Sequence, residues 1–208
     1  MIRSHSLHQA NVAFVLRDKN YLPNSQALSS LVTDRDAEGM NFLDDATLRM
    51  KLLNLPKIGM SIVAEPGRIR IEDQMQREPG DSPLVSQALT SMKKLVPKGI
   101  PYAGFGFNFN IYYQLSDVVQ IGNFFSQLAP TGMDLGSTLV DFGWQWTVAH
   151  KNGKQIDGYF LKVTAPLELI VHHNAHFNEG VIPQEEELSR RFSQAYESTH
   201  AFISTLQL

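Results

Sequence analysis

The sequence predicts an α+β fold: a curved antiparallel sheet with helices packed on one side, closed by a long C-terminal helix. Three observations carry this. Apolar residues alternate with polar ones over several long segments, above all Tyr102–Leu115, which is the period of a strand with one buried face. Asn152-Gly153 and Pro66-Gly67 are short turn signals between such segments, so consecutive strands fold back on each other. The segment from Pro183 to Leu208 instead repeats its apolar residues at helical spacing.

In chain order, Asn11–Arg17 reads as the first strand. Ser25 reads as the N-cap of a short helix running to Leu31. The acidic, aperiodic stretch Thr33–Asp45 reads as loop. Leu48–Leu55 is compatible with a strand or a helical turn and ends at Pro56. Ile58–Ala64 and Arg68–Glu72 form a hairpin across a type II turn, with Gly67 supplying the positive φ. Ser82 then caps a helix with Pro83 at its first position, and Leu84, Val85, Ala88, Leu89, Met92 and Val96 line one side.

A similar order follows. Tyr102–Leu115 is a long strand, and Asp117–Leu128 is a helix with Val118, Ile121, Phe125 and Leu128 on one side. A type I′ turn at Asn152-Gly153 would pair Trp146 with Tyr159, Trp144 with Leu161 and Phe142 with Val163, all large and apolar on one face. Leu167–Phe177 adds a strand. The last helix carries Glu185, Glu186 and Glu187 in its first turn, where they favour the dipole, and a stripe from Leu188 through Phe192, Tyr196 and Ile203 to Leu206. The elements suggest one compact domain, residues 1–208, of two pseudo-repeat halves at about 8–97 and 101–207, ordered β-α-(β)-β-β-α and β-α-β-β-β-α. That order resembles the duplicated architecture of the TATA-binding protein fold. The resemblance rests on element order over most of the chain and carries no motif of that family, so it implies architecture and not function.

Composition narrows the function. The 208 residues are 43% hydrophobic, enough for a substantial core. The net charge of −3 argues against nucleic acid, because backbone binding gains its affinity from a basic face. There is no cysteine, which removes disulfides, thiolate catalysis and cysteine-held metals. No segment reaches the eighteen apolar residues of a membrane span, so a cytoplasmic protein with no membrane partner is the expectation.

Tyr102–Tyr113 matches the centre of an RNA-binding RNP1 strand at Gly104-Phe105-Gly106-Phe107. Its phase is wrong for that role. Phe105, Phe107, Phe109, Ile111 and Tyr113 share one face, which as a water-exposed row would be a large apolar patch, so they read as core. Gly104, Gly106, Asn108, Asn110 and Tyr112 are left on the other face as candidates for a ligand or partner, with the glycines leaving room above the sheet.

His172 and His176 are the metal candidates in "VHHNAHF", yet on a strand they stand roughly 13 Å apart and need a third ligand, such as His150 or His200. "GMDLGST" at 132–138 resembles the phosphate loop of actin-like ATPases without its leading strand, and reads as a turn. The acidic pairs Asp34/Asp36, Asp44/Asp45 and Glu72/Asp73 read as turn caps or solvated ends. Asp157, opposite Val148 at the hairpin's edge, invites a search for a partner that shifts its pKa.

No cofactor is implied. The sequence therefore points to a non-catalytic binding or assembly module with a homo-oligomeric or protein partner. The alternative is a small-molecule binder or enzyme with a pocket between sheet and helices near Trp144, Trp146 and Tyr159.

Overall fold

The computed structural model describes residues 2–34, 36–116, 143–165 and 167–206. The helix expected at 117–128, the turn at 132–138, and Asp141 and Phe142 of the hairpin lie outside these residues.

Among the described residues nine strands form one antiparallel open sheet: β1 (Ile2–Leu16), β2 (Asn41–Asp45), β3 (Met50–Leu55), β4 (Met60–Glu65), β5 (Arg68–Asp73), β6 (Tyr102–Leu115), β7 (Gly143–Ala149), β8 (Gln155–Ala165) and β9 (Glu168–Phe177). Their spatial order is β2-β3-β4-β5-β1-β6-β9-β8-β7. Among the described residues three α-helices accompany them: α1 (Ser25–Ser29), α2 (Leu84–Leu95) and α3 (Glu185–Thr205).

Alternation along β6 sets the inside of the molecule. Phe105, Phe107, Phe109 and Ile111 are fully buried and pair across β1 with Phe14, Val12, Ala10 and Leu7, and across β9 with Phe177, Ala175, His173 and Val171. Phe192 and Tyr196 of α3 close on this row, the Phe192 ring centroid lying 5.3 Å from Phe107 and 5.0 Å from Phe109. Leu28 of α1 and Leu84, Val85, Ala88, Met92 and Leu95 of α2 join the same core cluster. α1, α2 and α3 thus cover one face of the sheet, and the aromatic row is core.

Several element ends differ from expectation, each for a tertiary reason. β1 begins at Ile2, nine residues before Asn11, because the long β6 offers it a partner as far as Leu115. Its first residues are largely exposed, and a bulge between Leu7 and Gln9 shifts the register, so this part shows no hydrophobic alternation. β2 occupies part of the predicted loop. Backbone pairing with β3 makes it a strand, and Asp44 is held by Lys51 Nζ at 2.8 Å and by the Ser25 hydroxyl at 2.7 Å. Leu48–Leu55 resolves into a strand from Met50.

Capping shifts by one residue at both early helices. Asn24, not Ser25, caps α1, its Oδ1 accepting from the Ala27 N–H at 2.7 Å. α2 starts at Leu84, and Pro83 precedes its first turn.

The Pro66-Gly67 turn is as expected, with Glu65 paired to Arg68 and Gly67 at φ +71°. At the other hairpin the register is as expected, Trp146 opposite Tyr159 and Trp144 opposite Leu161, but the turn is not type I′. Gly153 alone has positive φ, +67°, and its N–H donates to the His150 carbonyl. Asn152 stays in the ordinary region because its Oδ1 accepts from the backbone N–H groups of Lys154 and Gln155.

Candidate binding surfaces

The face of the sheet opposite the helices carries a feature no single strand reveals. Asn41, Asn54, Ser61, Glu72, Asn11, Asn108, Asn174, Gly158 and Thr147 stand at directly paired positions from β2 to β7, a polar row crossing all nine strands. Glu72 is its only charged member. It accepts from Ser61 Oγ at 3.1 Å and lies 2.6 Å from Arg70.

At the centre the amides bond to one another. Asn174 donates to Asn108, and Asn108 Nδ2 donates to Asn11 Oδ1 at 2.7 Å. A second row runs beside it, with Asn110 Nδ2 donating to Gln9 Oε1 at 2.7 Å and His172 Nδ1 lying 2.5 Å from Asn110 Oδ1. With Asn110 Oδ1 as acceptor, the His172 Nδ1–H is the donor. Burial, then the neighbouring His173, holds the His172 pKa below the usual histidine range, which favours this neutral form.

Six side chains without formal charge, Gln9, Asn11, Asn108, Asn110, His172 and Asn174, therefore form the middle of this face. Asn11 and Asn108 are each only 6% exposed. The hydrogen bonds among these side chains offset the cost of burying their amides. Arg68, Arg70 and Glu65 flank the patch on the β5 side, while Ile156 and Phe160 of β8 are exposed apolar residues on the other.

Gly104 and Gly106 belong to this face but do not open a groove. A Cβ on Gly104 would stand 2.4 Å from the Phe177 carbonyl oxygen, and one on Gly106 would stand 2.9 Å from that of Ala175. The missing side chains admit the β9 backbone rather than a ligand. Tyr112 is half-buried beyond Asn110, edge-on to His8 at 5.1 Å. His172 and His176 share this face with Asn174, and His173 points to the core. Among the described residues no group of three or more His, Asp or Glu is placed to hold a metal ion.

Trp144, Trp146 and Tyr159 lie on the helix side of the hairpin. Tyr159 is stacked between His173, at 4.3 Å, and Phe202 of α3, at 4.1 Å, while Trp146 meets Phe202 edge-on at 5.4 Å. The rings around Tyr159 thus fill the space between sheet and helix.

Beyond Tyr159, toward the hairpin turn, a cleft of about 390 Å³ opens between the β7–β8 turn, the end of β9 and the first turns of α3. Asp157 lies on its floor, 2% exposed. His150 Nε2 is 2.6 Å from its Oδ2, Gln155 Nε2 donates at 3.0 Å, and His173 Nε2 stands 3.6 Å from Oδ1. His173 is held from behind. Its Nδ1 lies 2.7 Å from Thr199 Oγ1, and the Thr199 hydroxyl donates to the Ala195 carbonyl, so Nδ1–H is the donor to Thr199.

Burial pushes the Asp157 carboxyl upward, but its contacts with His173, Gln155 and His150 outweigh this and hold it below the ordinary value of 3.8. A lowered folded-state pKa stabilises the protein above the unfolded value, and that contribution is lost as pH falls through the folded value. Urea titrations from about pH 6 to pH 2 are expected to show the advantage of wild type over Asp157→Asn shrinking below about pH 4. A gap that widens toward acid would contradict the assignment.

Asp157 and its strand neighbours could be read from the hairpin register, and Asp157 opposite Val148 is observed. Arg190, Arg191, Glu187 and Gln194 of α3 and Glu179 could not be placed beside them from sequence, since nothing local ties α3 to the hairpin turn. No family model matches this chain, and no curated protein is found to be similar to it.

Proposed function

We propose that this chain is a non-catalytic binding or assembly module that docks a second polypeptide, in the first instance another copy of itself, on the amide-lined face of its sheet. The observation that carries the proposal is the cluster of uncharged polar side chains on β1, β6 and β9 at the middle of this face, where an ordinary solvated face would carry lysines and glutamates. An amide offers a donor and an acceptor at little desolvation cost compared with a charge, which suits a surface that is covered and uncovered. Exposed Ile156 and Phe160 beside the amides add apolar area of the kind protein interfaces bury.

The element order also supports reading the chain as two related halves. In the sheet order β5 follows β1 outward on one side, as β9 follows β6 on the other, with β1 and β6 paired at the centre.

Sedimentation velocity between about 1 and 100 μM tests the proposal, the range in which a contact worth roughly 5.5–8 kcal/mol assembles. Wild type is expected to shift from monomer to dimer across it, and Asn110→Lys, which places a charge among the amides, to remain monomeric. A wild type that stays monomeric throughout, or an Asn110→Lys protein that assembles equally well, would reject self-association through this face.

A second reading, a small-molecule binder, is favoured by one observation: the cleft with a buried carboxylate beyond Tyr159.

A further inference from the structure

The cleft over Asp157 is organised around a buried carboxylate that meets no lysine or arginine among the described residues. Among the described residues the contacts to this carboxylate come from His150, Gln155 and His173, with no lysine or arginine. Both arginines of the cleft are already engaged. Arg191 lies 2.6 Å from Glu187 and 2.9 Å from Glu179, with its guanidinium over the Phe177 ring at 5.4 Å. Arg190 donates to Glu187 at 2.7 Å and to Gln194 at 2.8 Å. The lining thus sets three carboxylates, Asp157, Glu179 and Glu187, against two guanidinium groups, and the carboxylate without an arginine partner is the buried one.

A buried carboxylate is stable only where donors or an opposite charge compensate it. On the inner side Oδ1 accepts from Gln155 Nε2 at 3.0 Å, while His173 Nε2, in a fully buried ring 3.6 Å from Oδ1, makes no hydrogen bond. On the outer side, Oδ2 meets His150, whose side chain is 40% exposed, at 2.6 Å and more distantly Gln155 Nε2 at 3.3 Å. An N–H donor at that position is held by one surface imidazole and can be replaced by an N–H donor of a ligand.

We propose that this cleft binds a small molecule through a protonated amine or guanidinium that takes Asp157 as its counter-charge and displaces the His150 imidazole. Asn152, Gln155 and Gln194 on the walls supply uncharged donors and acceptors for the rest of such a molecule. The volume, about 390 Å³, is at the lower end for small-molecule sites and suits a compact ligand. An anionic ligand is disfavoured, because both arginines already have carboxylate partners and the Asp157 carboxylate would repel it. This inference rests on the second of the readings above and is independent of docking on the sheet face, which sedimentation tests separately.

Isothermal titration calorimetry with agmatine, which carries a guanidinium and an ammonium, and with succinate as the opposite-charge probe, decides the matter. Wild type is expected to bind agmatine at micromolar to millimolar concentration and to give no saturable heat with succinate. Asp157→Asn should weaken agmatine binding by about tenfold or more, equivalent to about 1.4 kcal/mol. His150→Ala should tighten it several-fold, since it removes the competing donor and leaves the carboxylate in place.

That tightening is what a purely structural role for His150 would not produce, and it decides the case should Asp157→Asn fail to fold. Absence of agmatine binding by both wild type and His150→Ala, unchanged or weaker binding by His150→Ala, wild-type affinity in a folded Asp157→Asn, or saturable binding of succinate would each overturn the proposal.

Discussion

Phe107→Ala is expected to destabilise the protein by about 3–5 kcal/mol, the range for truncating a fully buried phenylalanine. The side chain has no exposed surface and lies against Phe105, Phe177 and Phe192, with ring centroids 5.8, 5.6 and 5.3 Å away. It bridges β6, β9 and α3, so the surroundings cannot collapse into the void without moving a strand or the helix. Equilibrium urea unfolding measures the loss. A cost below about 1.5 kcal/mol would mean that the aromatic row is not the tightly packed centre described above.

Gly104→Ala should be comparably damaging for the opposite reason. The added Cβ would meet the Phe177 carbonyl oxygen at 2.4 Å, and a strand backbone cannot yield as a side chain can. A cost of about 3 kcal/mol or more is expected, at the upper end for overpacking. Gly106→Ala, at 2.9 Å from the Ala175 oxygen, should cost less, and Gly158→Ala, with its nearest neighbours at 4.0 Å, should be close to neutral. Urea midpoints of the three variants check the order 104, 106, 158. Equal effects at Gly104 and Gly158 would show that close approach of β9 is not why glycine stands at 104.

These two positions also show how far sequence reached into the site. The alternation of Tyr102–Leu115 was sufficient to turn the phenylalanines inward and the glycines and asparagines outward, because a strand's side chains must alternate whatever its partners are. What the glycines accommodate was not legible, since that depends on the strand beside β6. The polar row was hidden for the same reason. Asn11, Asn108 and Asn174 lie far apart in the chain, and only the antiparallel registers of β1, β6 and β9 make them neighbours. Within the hairpin, where the turn ties the register to the sequence, the pairing of Trp146 with Tyr159 and the edge position of Asp157 could be stated in advance. The turn's own conformation could not, because the Asn152 side chain bonds the following backbone and changes the preferred φ.

The sequence by itself determined the fold class, the hairpin registers and the buried faces of β6, α2 and α3, since these follow from period and turn chemistry acting over a few residues. Tertiary structure alone decided that β2 is a strand and that β1 extends back to Ile2, because polar segments of this kind are ordered by backbone pairing rather than by burial. It also set β1 against β6, which assembles the amide row, and placed α3 against the hairpin turn, which closes the cleft over Asp157. The amide row and the cleft each join residues remote in the chain through a register or a packing contact, and neither leaves a local trace.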